Sequence, residues 1–295
     1  MTMPTKLEMP PKATATSSDT AVAPPSTENA VRPPERPRAR RGLSPQGRDR
    51  VLAVLSPLAL LALWELASRT GVLDDRFFPP PTSIASTFVE LAKSGELWSN
   101  TWISVRRVLL GLALGATPAL IIGLAMGLYR PVRAVLDPLV AATYPIPKSA
   151  IVPLLLLIFG LGEMSKIVMV AIGAFFPVVI NTSAGVQEIP PIYRDVGRNY
   201  GASRWHTFRT IALPGALPMI MTGLKLAVGL GLILIVIAAM IGAKSGLGYM
   251  IWNAWQIFAV PTMYVGLITI SILGVLFTLA LTEIERVLVP WRRGR

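Results

Sequence analysis

The sequence predicts an all-α integral membrane protein with about six transmembrane helices. Of its 295 residues, 53% are hydrophobic and only 15% are charged, whereas soluble domains carry about 25% charged residues. Its uncharged stretches reach the ~20 residues that a helix needs to cross a bilayer core of ~30 Å. The basic residues flank these stretches instead of gathering on one soluble face, so the net charge of +12 does not indicate a nucleic-acid binder.

The chain divides into three parts by composition. Residues 1–50 hold nine prolines and many small polar residues, with no apolar run long enough to bury, which predicts a disordered, basic, Pro-rich tail. This tail lacks the short basic start and the small-residue cleavage site of a cleavable signal peptide. We therefore expect a tail at 1–50, a transmembrane domain at 51–289 and a short tail at 290–295.

Long apolar runs with few or no charged residues locate the crossings. They occupy approximately Val51–Ser68, Val108–Tyr129, Val135–Phe159, Ile167–Gln187, Leu213–Gly242 and Met263–Leu281. The third is interrupted by four prolines and one lysine. The segment 71–100 is too long for a simple turn and predicts a short surface helix, with one apolar face formed by Ile84, Phe88, Leu91 and Ala92.

The basic residues of the loops predict the orientation. With both termini inside, the inside segments hold 19 Lys and Arg and the outside segments hold seven, and basic flanks resist translocation. Both termini are therefore expected in the cytoplasm. Arg106 and Arg107 then fall at the outer entrance of the second crossing, where we expect them to snorkel to the interface.

The predicted cytoplasmic loop 188–212 carries a spaced motif. Its residues are Asp195-Val196-Gly197, then Gly201-Ala202-Ser203, then Ile211-Ala212-Leu213-Pro214 after nine residues that follow the second glycine. Gly201 allows a tight reversal between two short helices, and Ser203 can cap the second of them. Pro214 can start the fifth crossing at a position where its missing N–H costs nothing. The alternative is a solvated amphipathic linker.

This motif resembles the cytoplasmic "EAA" loop of ABC importer permeases, whose pattern is Glu-Ala-Ala, three residues, Gly, nine residues and Ile-x-Leu-Pro. The spacing from Gly201 to Pro214 matches, while Asp195 stands for the glutamate and Gly197 for the second alanine. The resemblance covers Leu52 to Val289. Four short segments are similar to the nitrate, sulfonate and taurine branch of these permeases: Tyr144–Leu154, Phe159–Glu163, Gly201–Trp205 and Thr222–Lys225. Permeases for thiamine-precursor pyrimidines share these segments.

The resemblance implies a type I ABC importer permease (MetI-like) fold in the cell membrane. In that family the loop docks into a groove of a separate ABC ATPase subunit, which binds ATP and Mg, so this chain is expected to be no enzyme and to hold no cofactor. The resemblance also implies an extracytoplasmic solute-binding protein, a permease homodimer and a small, anionic solute. The loop residues expected to take part in coupling are Asp195, Gly201, Ala202, Ser203, Ile211, Leu213 and Pro214.

Two lysines lie inside the predicted crossings, and the second crossing holds four regularly spaced glycines. At 1.5 Å per residue, Lys148 lies ~20 Å and Lys225 ~16 Å from the inner surface, where a charge costs ~2.5–3.5 kcal/mol or more and faces a cavity or a partner. They are candidates for an anion pathway; the alternatives are pairing with Glu163, Glu283 or helix carbonyls, or contact with each other's helices across a dimer. The small-residue spacing of Gly111, Gly115, Gly123 and Gly127 predicts close helix contact, within one subunit or between two.

Other functional classes receive less support from the sequence. An ion-driven secondary transporter, the main alternative, should show internal repeats and buried acidic residues in broken helices, and neither is evident. Zero cysteines and the single His206 leave no ligand set for zinc and no acid–base constellation for a membrane enzyme. Gly242-Ala243-Lys244-Ser245 lacks the Gly-Lys pair and the upstream glycine of a phosphate-binding loop.

Overall fold

The computed structural model describes residues 45–292, and within that range all regular elements are helical. The helices are α1 Pro45–Arg69, α2 Pro81–Lys93, α3 Glu96–Leu128, α4 Arg130–Thr143, α5 Val152–Phe159, α6 Glu163–Gln187, α7 Pro191–Asn199, α8 Arg204–Thr207, α9 Leu213–Met240, α10 Leu247–Gln256 and α11 Val260–Leu288. Short 3₁₀ turns at Lys148–Ile151 and Pro290–Arg292 and a π-turn at Phe208–Ala212 complete this part of the chain.

The predicted multi-pass membrane architecture is confirmed. Among the described residues, four helices are long and apolar enough to cross a bilayer: α3, α6, α11 and the continuous helix Trp205–Met240. The α4–α5 pair forms a fifth span if its two parts count as one. The first predicted crossing lies in α1, which has 25 residues and is therefore about 37 Å long. The orientation of the termini stays a prediction.

The boundaries of the two predicted tails are refined. Helix α1 begins at Pro45, so the last six residues of the predicted N-terminal tail are helical. A proline suits the first turn of a helix because the N–H that it lacks has no helical partner there. Residues 1–44 and 293–295, which hold the rest of both predicted tails, lie outside the described residues.

Helices α3, α6 and α9 form the centre of the fold. Their core includes Ala119 of α3, Val178 of α6 and Ala227 of α9, each fully buried. Side chains of this size allow the helix axes to approach closely, which is how helices associate where apolar lipid surrounds them.

The four glycines of α3 all face α6. A Cβ at Gly111 would lie 2.5 Å from the Cβ of Val170, and one at Gly115 would overlap the carbonyl group of Ala171. A Cβ at Gly123 or Gly127 would likewise collide with α6 side chains. The structure thus decides between the two predicted uses of these glycines, since they serve contact within the subunit.

The predicted surface helix is α2, and its predicted apolar face is confirmed. Ile84 is buried, and Phe88, Leu91 and Ala92 pack with it against residues of α3, α10 and α11. The start of α2 is capped from α1, because the carboxylate of Glu65 accepts hydrogen bonds from the Thr82 N–H at 3.0 Å and from its hydroxyl at 2.8 Å. A carboxylate at a helix N-terminus satisfies a free N–H and favours the helix dipole.

Arg107 does not snorkel, and that prediction is wrong. Its side chain is 1% exposed because α3 begins at Glu96, so that Arg107 lies well inside the helix and faces α6. The guanidinium donates from Nε to Glu163 Oε2 at 2.8 Å and from Nη1 to the Ser245 carbonyl at 2.8 Å. Burial of an arginine is tolerated where its charge and donors are matched in this way.

Lys166 is a second buried cation in the same region, although we expected it in an outer loop. It lies in the first turn of α6 and is 1% exposed. Its ammonium donates to the carbonyls of Leu161, Gly162 and Gly242. The α5–α6 and α9–α10 connections are therefore held together by carbonyl–ammonium contacts.

Candidate functional site

The first half of the predicted coupling loop is α7, and a glycine reverses the chain after it. Gly201 has φ of 66°, a left-handed conformation that only glycine adopts without strain. The N–H of Ala202 donates to the carbonyl of Gly197 at 2.9 Å, which is the six-to-one hydrogen bond of a Schellman motif. The tight reversal predicted at Gly201 is confirmed.

The second half begins with the predicted cap. Ser203 Oγ accepts the backbone N–H of His206 at 3.2 Å, as an N-cap serine does. Helix α8 then continues through the π-turn into α9, and the N–H of Leu213 donates to the carbonyl of Phe208.

Pro214 is the second residue of α9, as the predicted start of the fifth crossing requires. The helix does not begin there, however, because α8, the π-turn and α9 form one continuous span, Trp205–Met240. A proline in such a path removes one backbone hydrogen bond and crowds the carbonyl one turn earlier. The π-turn at Phe208–Ala212 directly precedes it, and such turns accommodate a lost i→i−4 bond by widening the helix locally.

The two halves of the loop pack through Gly197 and Ile211. Gly197 is buried, and a Cβ built on it would lie 3.1 Å from Cδ1 of Ile211. The absence of a side chain lets α7 lie directly on the helix that leads into α9. The first part of the motif, which ends at Gly197, is thus in contact with the third part, which begins at Ile211.

An exposed apolar stripe that was not predicted from the sequence runs along α7 to Tyr200, the residue after its end. Asp195 is exposed, as expected of a surface helix. At intervals of four residues, however, Ile192, Val196 and Tyr200 are also exposed, the last to 87%. Apolar residues at intervals of four predict one apolar face on a helix, and this spacing could have predicted the stripe. We call these three residues the α7 stripe.

The loop, α9 and the C-terminal turn surround one cleft. It has a volume of about 580 Å³, and motif residues Ile211 and Pro214 line it together with Glu188, Tyr193 and Trp291. A Cβ at Gly215 would lie 2.8 Å from the side chain of Ile189, so α9 also packs closely on the chain that enters α7. The motif residues consequently belong to one compact unit.

Lys148 lies at the break between α4 and α5. Its ammonium donates to the carbonyls of Tyr144, Ile146 and Thr143, the last two at 2.9 and 3.4 Å. It also lies 4.2 Å from the ring centre of Phe176 on α6. These contacts correspond to the carbonyl alternative named from the sequence.

Lys225 forms an ion pair with α11. Its Nζ lies 2.7 Å from Oε2 of Glu285, and both side chains are largely buried. Glu285 is three residues before the end of α11, so Lys225 is level with the last turn of that helix. The structure does not bring Lys148 and Lys225 into one site, and their role in a pathway stays a prediction.

Residues 119–294 match the model of the family described as "Binding-protein-dependent transport system inner membrane component". A permease protein of Bacillus subtilis (strain 168), named for aliphatic sulfonate transport, is 36% identical over 242 residues, which cover 82% of this chain and 87% of the relative. The taurine transport system permease protein of Escherichia coli (strain K12) is 32% identical over 252 residues, or 84% of this chain and 92% of the relative.

A solved structure shows the same fold. A chain of the methionine ABC transporter MetNI in an inward-facing conformation superposes with a TM-score of 0.52 at 23% identity. The match covers 63% of this chain and 93% of the other. The arrangement of helices described above is thus that of a type I importer permease.

Proposed function

The chain belongs to the family of binding-protein-dependent transport system inner membrane components, and we propose that the solute it carries is a small anion of the sulfonate, taurine or nitrate type. It is a membrane-spanning permease subunit of an ABC importer. The observation that carries the solute class is the identity of 36% and 32% to sulfonate-named and taurine-named permeases over more than four fifths of the chain.

Energy is supplied by a partner in this proposal. A separate ABC ATPase subunit binds ATP and Mg, and an extracytoplasmic solute-binding protein delivers the solute. The permease itself catalyses no reaction. Two copies of the chain form the pathway as a homodimer, with both termini in the cytoplasm.

The loop 188–212 is the proposed docking surface for the ATPase. The α7 stripe supports this role, because exposed apolar side chains outside the membrane spans favour a protein contact. Asp195 lies beside the stripe, Gly201, Ala202 and Ser203 set the angle between the halves, and Ile211, Leu213 and Pro214 join the loop to α9. A movement of the ATPase that displaces the loop would therefore act directly on α9, a central helix of the fold.

Lys148 and Lys225 are the proposed pathway residues, and their contacts differ. The charge of Lys225 is matched by the carboxylate of Glu285, whereas Lys148 contacts neutral carbonyls and rings and keeps its net charge. Lys148 also lies at broken backbone, which is tolerated in a membrane only against protein or a water-filled cavity. The attraction of an anion is therefore better supported at Lys148.

Reconstitution tests the proposal. The purified chain is placed in liposomes alone, and then with the ATPase and binding protein encoded beside it. We expect no ATP turnover by the chain alone, and ATP-dependent uptake of labelled taurine or ethanesulfonate by the full complex. Uptake by the chain alone on an ion gradient, or uptake that excludes every sulfonate and nitrate tested while accepting a neutral solute, contradicts the proposal.

A further inference from the structure

Helix α4 and the helical stretch Lys148–Phe159, which joins the 3₁₀ turn to α5, meet at an angle of 85° across a break of four residues, 144–147. Pro145 and Pro147 lie in the break, and neither has an N–H to offer a carbonyl one turn earlier. The residues from Tyr144 to Pro147 are exposed on the surface of the subunit. In a bilayer, carbonyl groups freed in this way need a partner from the protein or from water.

Lys148 is that partner. A lysine ammonium has three N–H donors, and three carbonyls of the break, those of Thr143, Tyr144 and Ile146, accept from it. All of its hydrogen-bonding capacity is thus directed at the backbone of its own break. A solute anion that passes here meets the charge of Lys148 but no free donor.

The same ammonium connects the break to the centre of the fold. It lies 4.2 Å from the ring centre of Phe176 and 5.3 Å from that of Tyr144, and the two rings are 6.0 Å apart. A cation over an aromatic face is attracted by the ring quadrupole, more strongly where water is excluded. Phe176 belongs to α6, whose packing against α3 and α9 makes it a fixed support.

We propose that Lys148 is a positioning residue that holds the bend between α4 and α5, through its carbonyl contacts at the end of α4 and its contact with Phe176 of α6. The ammonium supplies donors to the carbonyls of Tyr144 and Ile146 and a second donor to that of Thr143, which also accepts the N–H of Ile146, and its contact with Phe176 joins the break to α6. Its loss frees the carbonyls and releases α5 from its angle to α4. Only the uptake measurement below rests on the proposed function; the geometry does not.

The bend can be measured directly, because the chain contains no cysteine. Spin labels on Leu139→Cys in α4 and Leu157→Cys in α5, both exposed, form the only label pair. Diluting the labelled chain with unlabelled chain suppresses distances between copies. A continuous helix would place the two positions about 27 Å apart, and the bent pair places them closer.

In Lys148→Met we expect the label distance to lengthen toward that value and its distribution to broaden. In Lys148→Ala, added n-butylamine should restore the original distribution, since it supplies an ammonium to the vacated contacts. Lys148→Arg should keep most of the bend because it keeps the charge and the donors. The maximal uptake rate should fall at least tenfold in Lys148→Met, with a smaller change in KM.

An unchanged label distance in Lys148→Met, with uptake altered only through a raised KM for the anion, overturns the positioning role and leaves Lys148 with only the anion attraction proposed above. Phe176→Leu provides a second variant in case Lys148→Met does not insert. It keeps the three carbonyl contacts and removes the ring, so its distribution should broaden less than that of Lys148→Ala without amine. A Phe176→Leu distribution identical to wild type, together with no response of Lys148→Ala to amine, also overturns it.

Discussion

Arg107 of α3 and Glu163 of α6 are joined at two points, with Nε bonded to Oε2 at 2.8 Å and Nη2 bonded to Oε1. The same guanidinium reaches the carbonyl and the hydroxyl of Ser245 in the α9–α10 connection. One buried cation therefore joins three separate segments of the chain at one end of the central helices.

Glu163→Gln should lower the melting temperature of the purified protein. The substitution leaves the buried guanidinium without its counter-charge and weakens two hydrogen bonds to a charged group, a loss of about 1–3 kcal/mol. Arg106→Gln is the control, because Arg106 is half exposed and makes one contact of 3.3 Å to the same carboxylate. Equal melting of Glu163→Gln and wild type would show that the ion pair does not stabilise the fold.

Gly201→Leu should insert normally and lose its coupling to the ATPase. A side chain at φ of 66° costs roughly 1–2 kcal/mol, and a Cβ there meets no atom of this chain within 4 Å. The substitution therefore creates no clash at Cβ among the described residues, and the rest of the leucine side chain adds bulk to the surface proposed to meet the ATPase. We would measure membrane yield, ATPase co-purification and uptake together.

Gly201→Asn is the matched control, since asparagine tolerates the left-handed conformation. It should retain more ATPase than Gly201→Leu. Full uptake and normal ATPase retention in Gly201→Leu would identify the loop as a solvated linker and remove the proposed docking surface.

Gly115→Ala should destabilise the α3–α6 contact. Its new methyl group would overlap the carbonyl of Ala171, which is backbone and cannot move away alone; overpacking of this kind costs about 1–3 kcal/mol. Gly229→Ala on α9 is the matched control, because nothing lies within 4 Å of its Cβ position. A lower melting temperature is expected in the first variant only. Similar melting of both would show that α3 and α6 can separate without loss.

Lys225 and Glu285 should behave as a coupled pair in a double-mutant cycle. Lys225→Met removes the ammonium that lies 2.7 Å from the Glu285 carboxylate, so it should reduce the melting temperature more than Lys225→Met combined with Glu285→Gln, in which that charge is also removed. Uptake by the stable double variant then tests the pathway prediction separately. Normal uptake there excludes Lys225 from the pathway, whereas strictly additive losses of stability contradict the ion pair.

The sequence predicted the features that depend on neighbouring residues. Apolar runs with few or no charged residues located the spans because a bilayer excludes charge over a fixed length. The apolar face of α2, the reversal at Gly201 and the cap at Ser203 follow from local periodicity and local backbone preference. Each of these needs only information from within a few residues.

Features that depend on distant residues were missed or left open. Glu163 lies 56 positions from Arg107, and Glu285 lies 60 from Lys225, so no local pattern could assign either pair. The prolines near Lys148 indicated a break but not its angle of 85°. The continuity of α8 with α9 was likewise hidden, since a Leu-Pro step is compatible with either a helix start or a helix interior.

That continuity connects the proposed coupling loop to the far end of α9 through one span, Trp205–Met240, which the π-turn interrupts near its loop end. Its 36 residues extend about 54 Å at 1.5 Å per residue, from the coupling loop to the connection that holds Ser245. A rotation of about 5° about its loop end would carry the other end roughly 5 Å. The end that such a rotation displaces most leads into the connection whose Ser245 accepts hydrogen bonds from the buried guanidinium of Arg107.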